Sequence, residues 1–265
     1  MTLTRRIKII ISLGVIIGAV VVITPSVVVP IANHKISFNL LYNAGVMIEN
    51  RNIRIYIDPI DLPESYYDLP ADIILITHPD GDHYQNESIQ LIQRSNTLIV
   101  FPKNMTEEII YFEATGVNPK DQIIYEGITI TAFYMYTLPP EGLDYPASHP
   151  IEANWTSYII DIGGFTIFHA GDSKNIDEYQ ELTGKIDLAL LPLGPECQTM
   201  AEWEVVSALD VIQPKYFTPI HFYLLADDTF IRSYSEYVTV SKIVHLAYWE
   251  SIKYNILTKN ICNIE

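Results

Sequence analysis

The chain has 265 residues, 49% of them hydrophobic and 18% charged, with two cysteines. That composition excludes a disordered polymer and a disulfide-stapled scaffold, and the length allows one large domain or two small ones. Thirty-two acidic against 16 basic side chains give a net charge of −16, which excludes free nucleic acid as a general partner because phosphate binding rests on clustered Lys and Arg.

The N-terminus differs from the rest. Residues 1–35 hold Arg5, Arg6, Lys8 and Lys35 and no acid, which leaves 12 basic against 32 acidic residues, net −20, in the remainder. Residues 9–32 form an uncharged run rich in Ile and Val, and a bilayer core needs about 20 such residues as a helix. Arg5, Arg6 and Lys8 precede the run, so the positive-inside rule keeps that end in the cytoplasm. The run is longer than a signal-peptide core, and no Ala-x-Ala site follows it. The expectation is a cytoplasmic tip and uncleaved transmembrane anchor at 1–35, its helix ending near Thr24 before Pro25 and Pro30, with 36–265 extracytoplasmic. The triplets at Asn86, Asn104 and Asn154 are compatible with that location. Cys197 and Cys262 fit either a disulfide or two separate thiols.

Beyond Lys35, short β-rich runs alternate with polar turns. Residues 36–41, 46–48 and 53–57 read as strands, and 73–77 as a buried strand. Residues 86–94 have helical spacing, 98–101 read as a strand, and 107–115 as a helix ending at Gly116. Strands follow at 122–125 and 128–136. Residues 136–154 are irregular and proline-rich, a length usual for functional loops. A hairpin around Gly163-Gly164 joins 157–162 to 165–169. A buried strand at 188–191, a helix at 199–212, a strand at 216–219 and a helix at 228–239 complete the order. Packed sheets flanked by helices are expected.

The most informative stretch is Thr77-His78-Pro79-Asp80-Gly81-Asp82-His83, directly after a buried strand. Imidazole nitrogen and carboxylate oxygen are ligand types for Zn²⁺, and a turn with Gly and Pro can fold such a string so that alternate side chains converge. Further candidates stand at strand ends or in loops: His149, His169, Asp172 and His221. His34 borders the apolar run, and His245 reads as a structural histidine.

These residues resemble the metallo-β-lactamase superfamily. Its hallmark is His-x-His-x-Asp-His, followed by a His, an Asp and a His. His78, Asp82 and His83 match the hallmark, and His149, Asp172 and His221 take the downstream places. Ser148-His149-Pro150, Trp155, Tyr158-Ile159-Ile160, Gly164, His169-Ala170-Gly171-Asp172, Leu190-Leu191-Pro192-Leu193-Gly194 and Thr199-Met200 are similar to one branch. That branch holds small hydrolases such as ascorbate-6-phosphate lactonase and the phospholipase D acting on N-acylphosphatidylethanolamine. The likeness covers 37–222. Two positions depart from it: Asp80 stands where the hallmark has its second His, and Asn43 where many relatives have His.

The resemblance implies an α+β fold, an αββα sandwich over 36–265, with a dinuclear site at one edge. His78, Asp80 and His149 would hold one divalent ion and Asp82, His83 and His221 the other, with Asp172 shared. Asp58 and His169 would orient ligands by hydrogen bonds. Zn²⁺ is the leading ion, with Mn²⁺ or Fe²⁺ as alternatives favoured by the harder oxygen of Asp80. The implied activity is hydrolysis of an ester, lactone or phosphodiester by metal-bound hydroxide, with Asp82 orienting the water or taking its proton. The expected partners are the membrane and a small-molecule or lipid-like substrate, with the tyrosine-rich segment 134–145 as a candidate wall. A binding protein that lost chemistry through Asp80, or a nuclease, is the alternative; the acidic balance opposes the nuclease.

Overall fold

The computed structural model describes residues 9–11, 34–139, 142, 144–223 and 225–262. Strands β1 (Ile9–Ile11), β2 (Lys35–Leu40), β3 (Val46–Asn50), β4 (Ile53–Ile57) and β5 (Ile73–Leu75) lead to helix α1 (Asn86–Ile92). Strand β6 (Leu98–Pro102), helix α2 (Thr106–Tyr111) and strand β7 (Thr115–Val117) follow. Next come β8 (Gln122–Tyr125), β9 (Ile128–Tyr134), β10 (Thr156–Ile162), β11 (Phe165–His169) and β12 (Leu188–Leu193). The chain continues with α3 (Glu202–Ile212), β13 (Tyr216–Phe222), α4 (Ala226–Tyr234), β14 (Lys242–Ile243), β15 (Ser251–Asn255) and β16 (Asn260–Ile261).

The strands form two sheets, ordered β16-β15-β2-β3-β4-β5-β6-β7 and β1-β8-β9-β10-β11-β12-β13-β14. Each is antiparallel at one side and parallel at the other: β4 to β7 run parallel, as do β11 to β14. Alternation along the strands decides the layers. Ile73 and Leu75 join Ile160, Ile167 and Leu190 in the core between the sheets, while Ile74 and Ile76 face outward against Ile89 and Ile92 of α1. On the far side, Val205, Leu209 and Ile212 present one stripe of α3 to Ala189, Leu191 and Phe217, at the i, i+4, i+7 spacing of an amphipathic helix. Each such buried side chain contributes about 1.5–3 kcal/mol. The expected αββα layering is therefore present.

Several elements differ from expectation. Helix α2 stops at Tyr111, and residues 115–117 form an edge strand; a Cβ on Gly116 would stand 2.9 Å from Ile109 Cδ1, so glycine here allows helix and strand to approach. The C-terminal strand β15, absent from the sequence expectation, pairs antiparallel with β2. The apolar run begins with β1, paired with β8, where a helix was expected; its β-branched Ile residues suit an edge strand. The rest of the expected anchor, 1–8 and 12–33, lies outside the described residues, and no described helix is long and apolar enough to cross a bilayer. The hairpin between β10 and β11 turns on Gly163 and Gly164 as expected, both at positive φ, the requirement of a tight two-residue turn.

Candidate metal centre

The carboxyl ends of the parallel strands deliver the polar residues. Asp58 follows β4, Thr77 to His83 follow β5, His169 ends β11 with Asp172 just beyond, and His221 lies near the end of β13. Several of these positions carry unusual backbone. Asp58 and His221 adopt left-handed conformations at φ 46 and 48, and so does Asn43, whose carbonyl accepts from His221 N–H, at φ 56. Such residues cost about 1–3 kcal/mol each and cluster where geometry is over-determined. His221 sits at a register shift between β12 and β13, and a bulge of this kind re-aims a side chain. Gly171 has φ 58, and a Cβ there would meet Met135 Sδ at 2.6 Å and Thr77 Cβ at 3.1 Å.

One buried carboxylate fixes two imidazoles. Asp58 Oδ1 accepts from Thr77 N–H at 2.8 Å, and Oδ2 accepts from Thr77 Oγ1 at 2.6 Å and from His83 Nδ1 at 2.8 Å. Thr77 spends its only hydroxyl proton on Asp58, so His78 Nδ1, 2.9 Å from Thr77 Oγ1, must be the donor of that pair. Ser148 Oγ likewise donates to Cys197 O at 3.1 Å, and His149 Nδ1 lies 2.8 Å from it. His78, His83 and His149 therefore carry hydrogen on Nδ1 and turn Nε2 inward. His169 is the opposite tautomer: its Nδ1 accepts from Gly171 N–H at 3.1 Å and its Nε2 donates to Ala44 O at 2.8 Å. His169 thus braces the backbone that leads to Asp172 and touches no ligand side chain through these bonds.

The inward nitrogens converge on carboxylates. Asp80 Oδ2 lies 3.3 Å from His149 Nε2 and 3.6 Å from His78 Nε2. Asp172 reaches His83 Nε2 at 3.0 Å, His221 Nε2 at 3.3 Å and His149 Nε2 at 3.9 Å. Asp82 Oδ2 is 3.1 Å from His221 Nε2. All seven expected ligand residues are thus brought together, with Asp172 central and Asp58 behind His83.

The carboxylates and imidazoles here shift one another's pKa values. Burial would raise the Asp172 pKa, but His83 and His221 hold it below the ordinary carboxylate range. Burial opposes protonation of His83, yet Asp172 and Asp58 on its two sides hold its pKa well above the usual value. The His149 and His78 imidazoles beside Asp80, and the His221 imidazole beside Asp82, hold those carboxyls below the ordinary range. His78, by contrast, is pushed down by burial and by His83. His78 Nε2 is buried without a hydrogen-bond partner, a cost of about 1–3 kcal/mol if left so, and His83 Nε2 and Asp172 Oδ1 have only their 3.0 Å approach to each other. Imidazole nitrogens facing carboxylate oxygens suit divalent cations between them, which would take the place of an Nε2 proton, and the N/O donor set fits Zn²⁺, Mn²⁺ or Fe²⁺.

Residues 38–221 match the family model described as the beta-lactamase superfamily domain. The chain belongs to that superfamily. A UPF0173 metal-dependent hydrolase of Thermococcus kodakarensis is 31% identical over 162 residues, 58% of this chain and 68% of the relative. Another, from Nanoarchaeum equitans, is 32% identical over 189 residues, 68% of this chain and 80% of the relative. Among solved structures, a metallo hydrolase of Ignicoccus hospitalis superposes with a TM-score of 0.68 at 17% identity, over 83% of this chain and 99% of that one, which speaks for the fold alone.

In this superfamily member, further residues surround the centre. Asn43 donates to Asp82 O at 2.9 Å and Asp82 Oδ2 at 3.3 Å, holding the end of the ligand string. Trp155 packs against the His78 and His149 rings at 5.5 and 5.4 Å. Cys197 lies with Asp82 and His221 in a group whose ligand atoms fall within 4.8 Å of one another, and it forms no disulfide with Cys262. A cleft of about 670 Å³ opens from Asp82 and His221, walled by Tyr42, Tyr223 and Tyr248. Among the described residues, none of the segment 134–145 lines this cleft: Tyr134 packs against the outer core, and Tyr136 donates to Glu178 at 2.7 Å. His245, expected to be structural, bonds Asp227 at 2.7 Å at the cleft's far side.

Proposed function

We propose that the chain is a metal-dependent hydrolase of esters, lactones or phosphodiesters that works with two divalent ions. The observation carrying this is the convergence of His78, His83 and Asp172, whose ligand atoms lie within 4.8 Å of one another in a buried group, with His78 Nε2 left without a hydrogen-bond partner. His78, Asp80 and His149 would hold one ion, Asp82, His83 and His221 the other, and Asp172 both. Such ions acidify water towards neutral pH and polarise the carbonyl or phosphoryl oxygen under attack. Asp82, half-exposed on the cleft and fixed by Asn43 and His221, is the carboxylate suited to take a proton from that water.

The cleft is within the size range of small-molecule sites. Its aromatic wall suits an apolar or lipid-like substrate, and no Lys or Arg lines it among the described residues, which disfavours a nuclease. Anchorage rests on the sequence: residues 9–32 are uncharged and numerous enough for a bilayer span of about 20 residues, a state in which residues 9–11 would leave their pairing with β8 and 36–265 would be the extracytoplasmic hydrolase domain. The test is a hydrolysis screen of the three bond types with Zn²⁺, Mn²⁺ or Fe²⁺, beside Asp172→Ala. Turnover by the wild type alone supports the reading. Metal-loaded wild type that hydrolyses none of them favours a binding protein, the alternative that Asp80 raises.

A further inference from the structure

The loop after β12 carries a thiol into the centre. Gly194, Pro195, Glu196 and Cys197 lead from β12 towards α3, with Cys197 N–H donating to Gly194 O at 3.1 Å. A Cβ on Gly194 would stand 3.0 Å from both Nδ1 and O of His221, so glycine lets this loop lie directly on the ligand. The loop is also tied to His149. Cys197 O accepts from Ser148 Oγ, the atom beside His149 Nδ1, and the Gln198 side chain accepts from Ser148 N–H at 2.9 Å. These bonds place Cys197 against two ligand segments and leave its side chain within 4.8 Å of ligand atoms of both Asp82 and His221.

A second observation makes this group a metal position. His221 lies 3.3 Å from Asp172 and stacks on His83 at 5.1 Å. His83 Nε2 and Asp172 Oδ1, 3.0 Å apart, are buried and have no other hydrogen-bond partner. The thiol therefore borders the buried His83–Asp172–His221 cluster of N and O donor atoms.

We propose that Cys197 Sγ is a ligand of the second metal position, beside Asp82, His83, His221 and Asp172. The proposal rests on the dinuclear reading above. On binding, the S–H proton leaves to solvent and the thiolate donates to the ion. The two positions then differ in chemistry: Asp80 makes the first harder, and Cys197 makes the second softer. A mixture of Zn²⁺ and Mn²⁺ would sort, Zn²⁺ to the thiolate position and Mn²⁺ to the Asp80 position.

Co²⁺ substitution tests this without an activity assay, since thiolate ligation gives an intense near-ultraviolet charge-transfer band that N/O ligation does not. The expected result is that band in wild type and in Cys262→Ser, and its loss in Cys197→Ser. Cys197→Ser should retain the first ion, while Zn²⁺ affinity at the second position falls by at least the roughly 10–100-fold typical of losing an outer hydrogen-bond partner. Bound Co²⁺ without the band in wild type, or the same band in Cys197→Ser, overturns the role of the thiol and leaves the dinuclear reading standing. A wild type that binds no Co²⁺ overturns both.

Discussion

Asp58→Asn should reverse two ligands at once. The backbone N–H of Thr77 cannot change direction, so the amide oxygen must take the place of Oδ1, 2.8 Å from it. The new NH₂ group then occupies the place of Oδ2, facing Thr77 Oγ1 at 2.6 Å and His83 Nδ1 at 2.8 Å. Both contacts change from acceptor to donor. His83 Nδ1 must become the acceptor, which moves its hydrogen to Nε2. Thr77 Oγ1, now accepting from the introduced amide, must donate to His78 Nδ1, and that hydrogen too moves to Nε2. A substitution that preserves shape thus closes one nitrogen of each metal position.

Hydrogen bonds to a charged acceptor contribute about 1.5–3 kcal/mol, and losing a partner that orients a ligand typically costs 10–100-fold in metal affinity. With His78 in one proposed position and His83 in the other, each should lose roughly 10–100-fold in Zn²⁺ affinity. Chelator competition measures both steps, and ¹⁵N-histidine spectra of the metal-free protein report the His78 tautomer. Thr77→Val, which breaks only the arm to His78, should weaken the first position alone. Asp58→Asn with wild-type affinity at both positions, or with His78 hydrogen still on Nδ1, would refute the reasoning.

Asp172→Ala removes the shared ligand; metal content per chain should fall at both positions and hydrolysis should vanish, whereas two retained ions with full activity would mean the site is misassigned. Asp80→His replaces a half-exposed carboxylate by imidazole and should tighten Zn²⁺ relative to Mn²⁺ at the first position, read from metal content after equilibration with both ions. Gly171→Ala forces a Cβ onto Met135 and Thr77 at φ 58; left-handed strain of about 1–2 kcal/mol and overpacking of about 1–3 kcal/mol should lower the denaturant midpoint and displace Asp172.

The sheets were legible where a pattern was local. Residues 53–57 and 165–169 alternate between turn signals, and both form strands with those limits. The edge strand after α2 was not legible, because Gly116 reads as a helix end in sequence but serves as a point of close approach in space. Strand β15 was missed for another reason: Ser-Ile-Lys-Tyr-Asn is mostly polar, and only its pairing with β2, more than 200 residues earlier, buries Tyr254.

The candidate ligands that converge could be nominated from sequence because four of the seven lie in one turn and the others stand in the long loop or at strand ends. Their states could not. Whether a histidine offers Nε2 or Nδ1 depends on where a neighbour's single proton goes, and Thr77 and Ser148 settle that through Asp58 and Cys197 O. His169 and His83 look alike in sequence, each next to a candidate Asp or near one, yet opposite hydrogen-bond partners make one a brace and the other an inward-facing donor atom. The same limit hid Cys197. Its distance in sequence from Asp82 and His221 says nothing of coordination; the contact arises because Gly194 lets a loop settle on His221, whose left-handed backbone at a register shift points its ring there. Spacing can nominate donors, but backbone handedness and proton placement decide which atoms a metal meets.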